Sequence, residues 1–290
     1  MSVGSLLERA GLWPLRGLWV ALPIVFGATV GNDLDTVAQP LVAEGALWVL
    51  WFLGLLATLV PGPVPLTTIR ILAPATIVAA LVIGGGAGAA AAAYGVLVTV
   101  VSLLPSVGDR MINGSAYGSE RRMALRPPAY VLLGPVQIAW ALVVAGVGLP
   151  VWLAATERWV SAAIAAVIGV AAVWLGWRVL HQLSRRWLVF VPAGFVLHDH
   201  LLVAESILMR RSTVSSLGPA QSGSEGRAVD LTGGASGLAL EVVLDGPTPF
   251  ALRRRGRLDA TESANLMFSP TLPGAVLTEA RVRAITIGAA

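Results

Sequence analysis

Four clusters in this chain carry residue types at spacings that could do chemistry. His198-Asp199-His200 puts two imidazoles on one side of an extended segment, because side chains alternate along a strand. Such a pair can seed a metal site, but no third ligand stands near it in sequence. The expectation is a solvated strand end and no metal. Asp33 and Asp35 form the short D-x-D pattern of some metal-dependent transferases. Two acids so spaced are also common in ordinary loops, and that reading is preferred. Gly84 to Gly88, followed by Ala89, fits G-x-G-x-x-G/A. A dinucleotide fingerprint needs a strand before it and a soluble βαβ unit around it. Here apolar runs flank it, and Ala80, Gly84, Gly88 and Ala92 form a small-xxx-small series, so a turn or close helix packing is expected.

The fourth cluster is Arg253-Arg254-Arg255 with Arg257, the densest charge in the chain. Near an anionic leaflet each base gains about 1 kcal/mol. A solvated strand end under ordinary positive-inside bias explains the same run, and both readings stay open. With Arg185 and Arg186 these residues are the candidate lipid- or partner-binding set, and Arg210 and Arg211 belong to the same region. Asn113-Gly114-Ser115 matches a glycosylation acceptor but reads as turn chemistry.

What is missing narrows the chemistry. There is no Cys, which excludes disulfides and thiolate-held metals. There is no Lys either, since all 20 basic residues are Arg, so Schiff-base and P-loop lysines are absent. The chain lacks G-x-S-x-G and H-E-x-x-H. Net charge is only +4, too small to argue for nucleic acid. Arg-only basic usage with heavy Ala and Gly suits a GC-rich bacterial genome, such as an actinobacterial one.

The elements that must position these clusters divide into two kinds. The chain is 56% hydrophobic and 12% charged, against roughly 25% charged for soluble chains, and the deficit belongs to residues 1–184. Apolar runs predict six membrane spans at about 12–31, 46–60, 66–83, 89–104, 129–149 and 160–180. No charge occurs from Ile71 to Gly108. One helix of about 38 residues would measure roughly 57 Å against a hydrocarbon core of roughly 30 Å, so this is two spans returning at Gly84–Gly88. The polar stretch Asp109 to Pro128 holds Arg110, Arg121, Arg122 and Arg126 against Asp109 and Glu120. The positive-inside rule places it in the cytoplasm, and Asp33, Asp35 and Glu44 then lie outside. Both termini are expected inside. Span centres carry no Asp or Glu; Gln137, Thr58, Thr76, Thr99 and Ser102 are the polar residues there.

After Arg185-Arg186 the pattern changes to short strands: Trp187–Val191, Phe195–Asp199, Ser206–Arg210, Thr213–Leu217, Ala228–Leu231, Leu238–Leu244 and Pro249–Arg255, with a helix over Pro273–Ile285. Loops are expected at Gln221–Gly226 and Leu258–Pro270. The stretch RRWLVFVPAGFVLHD, the strand series and the last helix resemble the bacterial PH-like domains fused to membrane helices. The resemblance implies a small β-rich barrel closed by a C-terminal helix, over residues 185–290, which binds lipids, peptides or proteins.

The expectation is an α-helical polytopic membrane domain (1–184) carrying a cytoplasmic PH-like β domain (185–290). It sits in the bacterial plasma membrane, is not an enzyme, uses no cofactor, and binds a protein partner or anionic lipid headgroups. A transporter or lipid-handling protein is the alternative, with a wet cavity lined by Gln137 and the Thr residues. A membrane enzyme using Asp33 and Asp35 is the third reading.

Overall fold

A computed structural model of the chain describes residues 11–29, 38–84, 88–221, 228–254 and 257–288. The chain divides into a helical unit, Met1–Gly114 with Val136–His181, and a sheet unit, Ser115–Pro135 with Gln182–Ala290.

The helical unit contains α1 (Trp13–Thr29), α2 (Pro40–Leu59), α3 (Pro63–Ile83), α4 (Ala89–Leu103), α5 (Pro105–Asn113), α7 (Pro135–Ala155) and α8 (Trp159–Leu183); the short α6 (Ala129–Leu132) belongs to the sheet unit. Proline sets several starts: Pro40, Pro63 and Pro105 open α2, α3 and α5, where a missing N–H costs nothing. Pro105 also ends α4. It forces Leu104 to an extended conformation (φ −56°, ψ 135°), and α4 and α5 meet at a 57° bend. Among the described residues four stretches are long and apolar enough to cross a membrane: Pro40–Leu59, Pro63–Val82, Ala129–Ala155 and Trp159–Leu183. Counting the bent α4–α5 pair as one span makes five. The first expected span is a shorter apolar helix, so the described residues hold four or five stretches able to cross, and a sixth is not shown. These helices turn Leu53, Val100, Ile138, Val167 and Val170 outward, an arrangement that costs free energy in water and none in hydrocarbon.

Small residues let the helices approach. A Cβ on Gly169 of α8 would lie 2.2 Å from the Gly146 carbonyl oxygen of α7, and one on Gly176 would lie 2.4 Å from the Ala139 carbonyl oxygen. These pairs, seven residues apart on each helix, make a seam of backbone on backbone. Gly95 of α4 packs on Thr76 and Ile77 of α3 in the same way.

The sheet unit has β1 (Arg121–Ala124), β2 (Trp187–Val191), β3 (Gly194–His198), β4 (Ile207–Arg210), β5 (Val214–Pro219), β6 (Val229–Asp230), β7 (Leu240–Arg254), β8 (Arg257–Phe268) and a helix, α9 (Pro273–Val282). The strands form two four-stranded sheets, ordered β1-β2-β3-β4 and β5-β7-β8-β6, and no barrel closes among the described residues. Both sheets feed one core. Leu188, Phe190, Phe195, Leu197, Ile207 and Met209 come from the first, Val242, Leu252, Leu266 and Phe268 from the second, and Val276 and Ala280 from α9.

Three expectations change here. The basic stretch before residue 128 is not a loop throughout, since α5 occupies its start and β1 its end. Met123 and Leu125 alternate with Arg122 and Ala124 and enter the core, while β1 pairs antiparallel with β2 (Met123 opposite Leu188). The strands expected at Leu238–Leu244 and Pro249–Arg255 are one strand, β7, whose register shifts between Val243 and Thr248. Leu258–Pro270, expected to be irregular, supplies most of β8. Its local sequence is polar, but pairing with β7 along nearly its whole length decides the conformation. The expected loop at 221–226 lies, apart from Gln221, outside the described residues.

Candidate functional site

Just before β2 stands a buried, tightly held charge. Arg186 is 1% exposed. Its Nε and Nη2 donate to Asp199 Oδ1 (2.8 Å) and Oδ2 (2.6 Å), and its Nη1 donates to the carbonyl oxygen of Arg126. A buried guanidinium needs such a charge partner and bonds from all three of its nitrogens. Asp199 also anchors a turn: its Oδ1 accepts from the Leu201 N–H, and its carbonyl oxygen accepts from the Val203 N–H. Arg186 was expected among the surface residues offered to lipid or a partner. Burial against Asp199 removes it from that role, and Asp199 is a structural hub, not the centre of a solvated metal-seeding triplet.

Outward from this hub, the face of the first sheet opposite the core carries a ladder of rings. Trp187 on β2 stands opposite His198 on β3 in the register, with ring centroids 5.3 Å apart and planes at 17°. The Arg122 guanidinium of β1 lies over the same Trp187 ring, 5.3 Å from its centroid. His198 meets His200 edge to face, centroids 4.2 Å apart. His198 Nδ1 is 2.7 Å from Ser206 Oγ. His200 Nε2 is buried and has no hydrogen-bond partner among the described residues.

The second sheet delivers a further cation to this ladder. The turn after β3 is stitched to the end of β7: the Ala204 N–H donates to the Ala251 carbonyl oxygen, and the Arg253 N–H donates to the Leu202 carbonyl oxygen. Arg253 therefore bears on His200, and Arg185 bears on both imidazoles. Desolvation, then His200, Arg185 and Arg122, push His198 down to about 4 against the opposing effect of Asp199. Burial first, with Arg185 and Arg253 after it, lowers His200 as well. Both rings are therefore neutral near pH 7.

The structure thus gathers part of the expected set. Arg185 and Arg253 are exposed and converge on the histidines. Arg257 is exposed, but the β7–β8 register pairs it with Arg254, on the opposite face from Arg253. The side chain of Arg254 and all of Arg255 lie outside the described residues. Sequence reading missed Arg122 and Trp187 as neighbours of the histidines. The signal available was the alternation Arg122-Met123-Ala124-Leu125, which marks a strand.

Three guanidinium groups beside two neutral imidazoles make a setting for an anion. They repel a metal cation, and no group of three or more His, Asp or Glu able to hold a metal occurs among the described residues. Asp33 and Asp35 lie outside the described residues. Gly84 follows helix α3, not a strand, and approaches Gly88 so closely that a Cβ would meet the Gly88 Cα at 2.5 Å; residues 85–87 between them lie outside the described residues. Asn113 caps its own turn, Nδ2 donating to the Asp109 carbonyl oxygen at 2.8 Å. In the helical unit, a cleft between α1, α2 and α3 includes Thr76 but not Gln137, Thr58 or Thr99, so the wet cavity expected of a transporter is not this one. Comparison of the chain with protein-family models, with curated proteins and with solved structures returned no match.

Proposed function

We propose that this is a non-enzymatic integral protein of the bacterial plasma membrane whose sheet unit is a cytoplasmic PH-like module that binds the phosphate of anionic lipid headgroups. The observation carrying this reading is the convergence of Arg122, Arg185 and Arg253 on His198 and His200, with a buried, unbonded Nε2 among them. A phosphate oxygen can accept from that nitrogen and from the exposed guanidinium groups of Arg185 and Arg253, beside Arg122, which already donates to Glu120 Oε2 at 3.2 Å and to Ser115 Oγ at 2.8 Å. Chain connectivity supports a lipid source. Arg185 stands two residues past the end of α8, within about 7 Å of contour. The Arg residues flanking α7 and α8 favour the cytoplasmic side for the sheet unit, and both termini lie inside where the shorter α1 crosses together with the bent α4–α5 pair. The membrane-crossing helices already anchor the protein, so the contact orients a tethered domain and does not recruit it.

The test uses the full chain in nanodiscs containing a trace of photoactivatable phosphatidylglycerol. Crosslinks are expected on peptides spanning 185–206 and 240–253. Three bases at about 1 kcal/mol each predict that changing Arg122, Arg185 and Arg253 together to Gln lowers the yield at least about tenfold. An unchanged yield refutes the reading and leaves the cluster to a protein partner.

A further inference from the structure

The cleft between α1, α2 and α3 has a volume of about 300 Å³, at the lower end of the range of small-molecule sites. Its walls are apolar, with Leu22, Phe26 and Leu72 among them. Its floor is a fixed construction. Trp19 Nε1 donates to the Trp51 carbonyl oxygen at 2.8 Å, and Trp51 Nε1 donates back to the Trp19 carbonyl oxygen at 2.9 Å. Gly54 leaves room for this exchange, because a Cβ there would lie 1.9 Å from the Trp19 ring. With both indole N–H groups bonded internally, the rings offer the cleft only apolar surface.

One ionisable group lines this cleft among the described residues: Glu44. Sequence reading started the second span at residue 46 and left Glu44 in an outer loop. The helix starts at Pro40 instead, so Glu44 is the sole acidic residue in the four stretches long enough to cross a membrane. It is exposed and makes no ion pair or side-chain hydrogen bond with the described residues. Trp48, 55% exposed, lies one turn further in, with its ring 5.4 Å from that of Trp51 and at 87° to it. From Glu44 to Trp51 is about 10 Å along the helix axis. A carboxylate and an indole face at the mouth of an apolar cleft complement one kind of occupant. An ionisable group in a membrane helix marks a functional position, and indoles attract cations.

We propose that this cleft binds lipophilic cations. The apolar body lies between α1, α2 and α3, with the positive group held at Glu44 against the Trp48 ring. A neutral tail fills the walls but leaves the carboxylate unmatched, and an anionic amphiphile is repelled by it.

The test is equilibrium binding to the full chain in nanodiscs of uncharged lipid, corrected for empty discs. The probes are radiolabelled dodecyltrimethylammonium, dodecanol and dodecyl sulfate. Saturable binding is expected in the order cation, neutral, anion, with the cation favoured over dodecanol by roughly tenfold. Glu44→Gln should bring the cation to the level of dodecanol while dodecanol binding, which also reports the intact cleft, stays unchanged. Glu44→Asp should keep most of the preference. Ala79→Phe should abolish saturable binding of all three. Equal binding of the three probes by the wild type overturns the proposal, leaving a gap that an ordinary lipid tail fills. A cation preference that survives Glu44→Gln overturns it too.

Discussion

Replacing Asp199 by Asn strands the Arg186 guanidinium, which is 1% exposed, without its counter-charge. The substitution removes the charge from both bidentate contacts, at 2.8 and 2.6 Å. It leaves only the bond from Nη1 to the Arg126 carbonyl oxygen unaltered. Breaking one side of a buried pair costs about 3–5 kcal/mol, because the remaining charge stays desolvated. The loss should be local to the sheet unit, since Asp199 ties β2 to the turn that holds Val203 in the core. Hydrogen exchange by mass spectrometry on the full chain in detergent reads this directly. Peptides covering β1, β2 and β3 should lose protection by at least about a hundredfold, while peptides of α7 and α8 serve as the internal reference. The double change Arg186→Met with Asp199→Leu removes both charges and should recover most of the loss. If Asp199→Asn stays within about tenfold of the wild type, or if the double variant is as damaged as the single one, the pair is not what holds this turn.

Two further outcomes follow from the same geometry. Both His198 and His200 are lowered from 6.5, His198 to about 4, so between about pH 6.5 and about 4 the unfolded chain binds more protons than the folded one. Stability of the sheet unit therefore falls as pH falls through that window and levels off below about 4; His198→Gln should flatten the fall in the urea midpoint followed by near-ultraviolet circular dichroism. In the helical unit, Gly169→Ala drives a methyl group into the Gly146 carbonyl oxygen, which no rotamer change relieves. It should cost about 1–3 kcal/mol in thermal unfolding in detergent, whereas Gly148→Ala, with nothing within 4 Å of the added Cβ, should be neutral or slightly stabilising.

Apolar runs and proline positions are local signals, and by themselves they determined most of the membrane helices. A run too long for one crossing had to return, and α3 and α4 are two helices separated near Gly84. The β2–β3 hairpin was legible for a similar reason: alternating Leu188, Phe190, Phe195 and Leu197 flank the two-residue turn Pro192-Ala193, which Gly194 follows. That glycine has φ +148°, and a Cβ on it would lie 2.2 Å from the Met209 carbonyl oxygen. The length of α2 was less legible, because Glu44 reads as a loop residue until Pro40 is seen to open the helix.

The candidate site depended on contacts distant in sequence. Arg122 and Trp187 are 65 positions apart and meet only because β1 pairs with β2; Arg253 reaches His200 only because the turn after Asp199 is stitched to β7. The sequence alone determined composition, the absence of Cys and Lys, and the division between apolar helices and short strands, since these follow from hydrophobicity and backbone preference within a few residues. Only the tertiary structure decided which arginines are surface and which is core. Arg185 and Arg186 are chemically identical neighbours, yet Arg185 lies exposed in the turn after α8 beside the histidines, while Arg186, just before β2, is buried against Asp199, where a carboxylate offsets the cost of burying it.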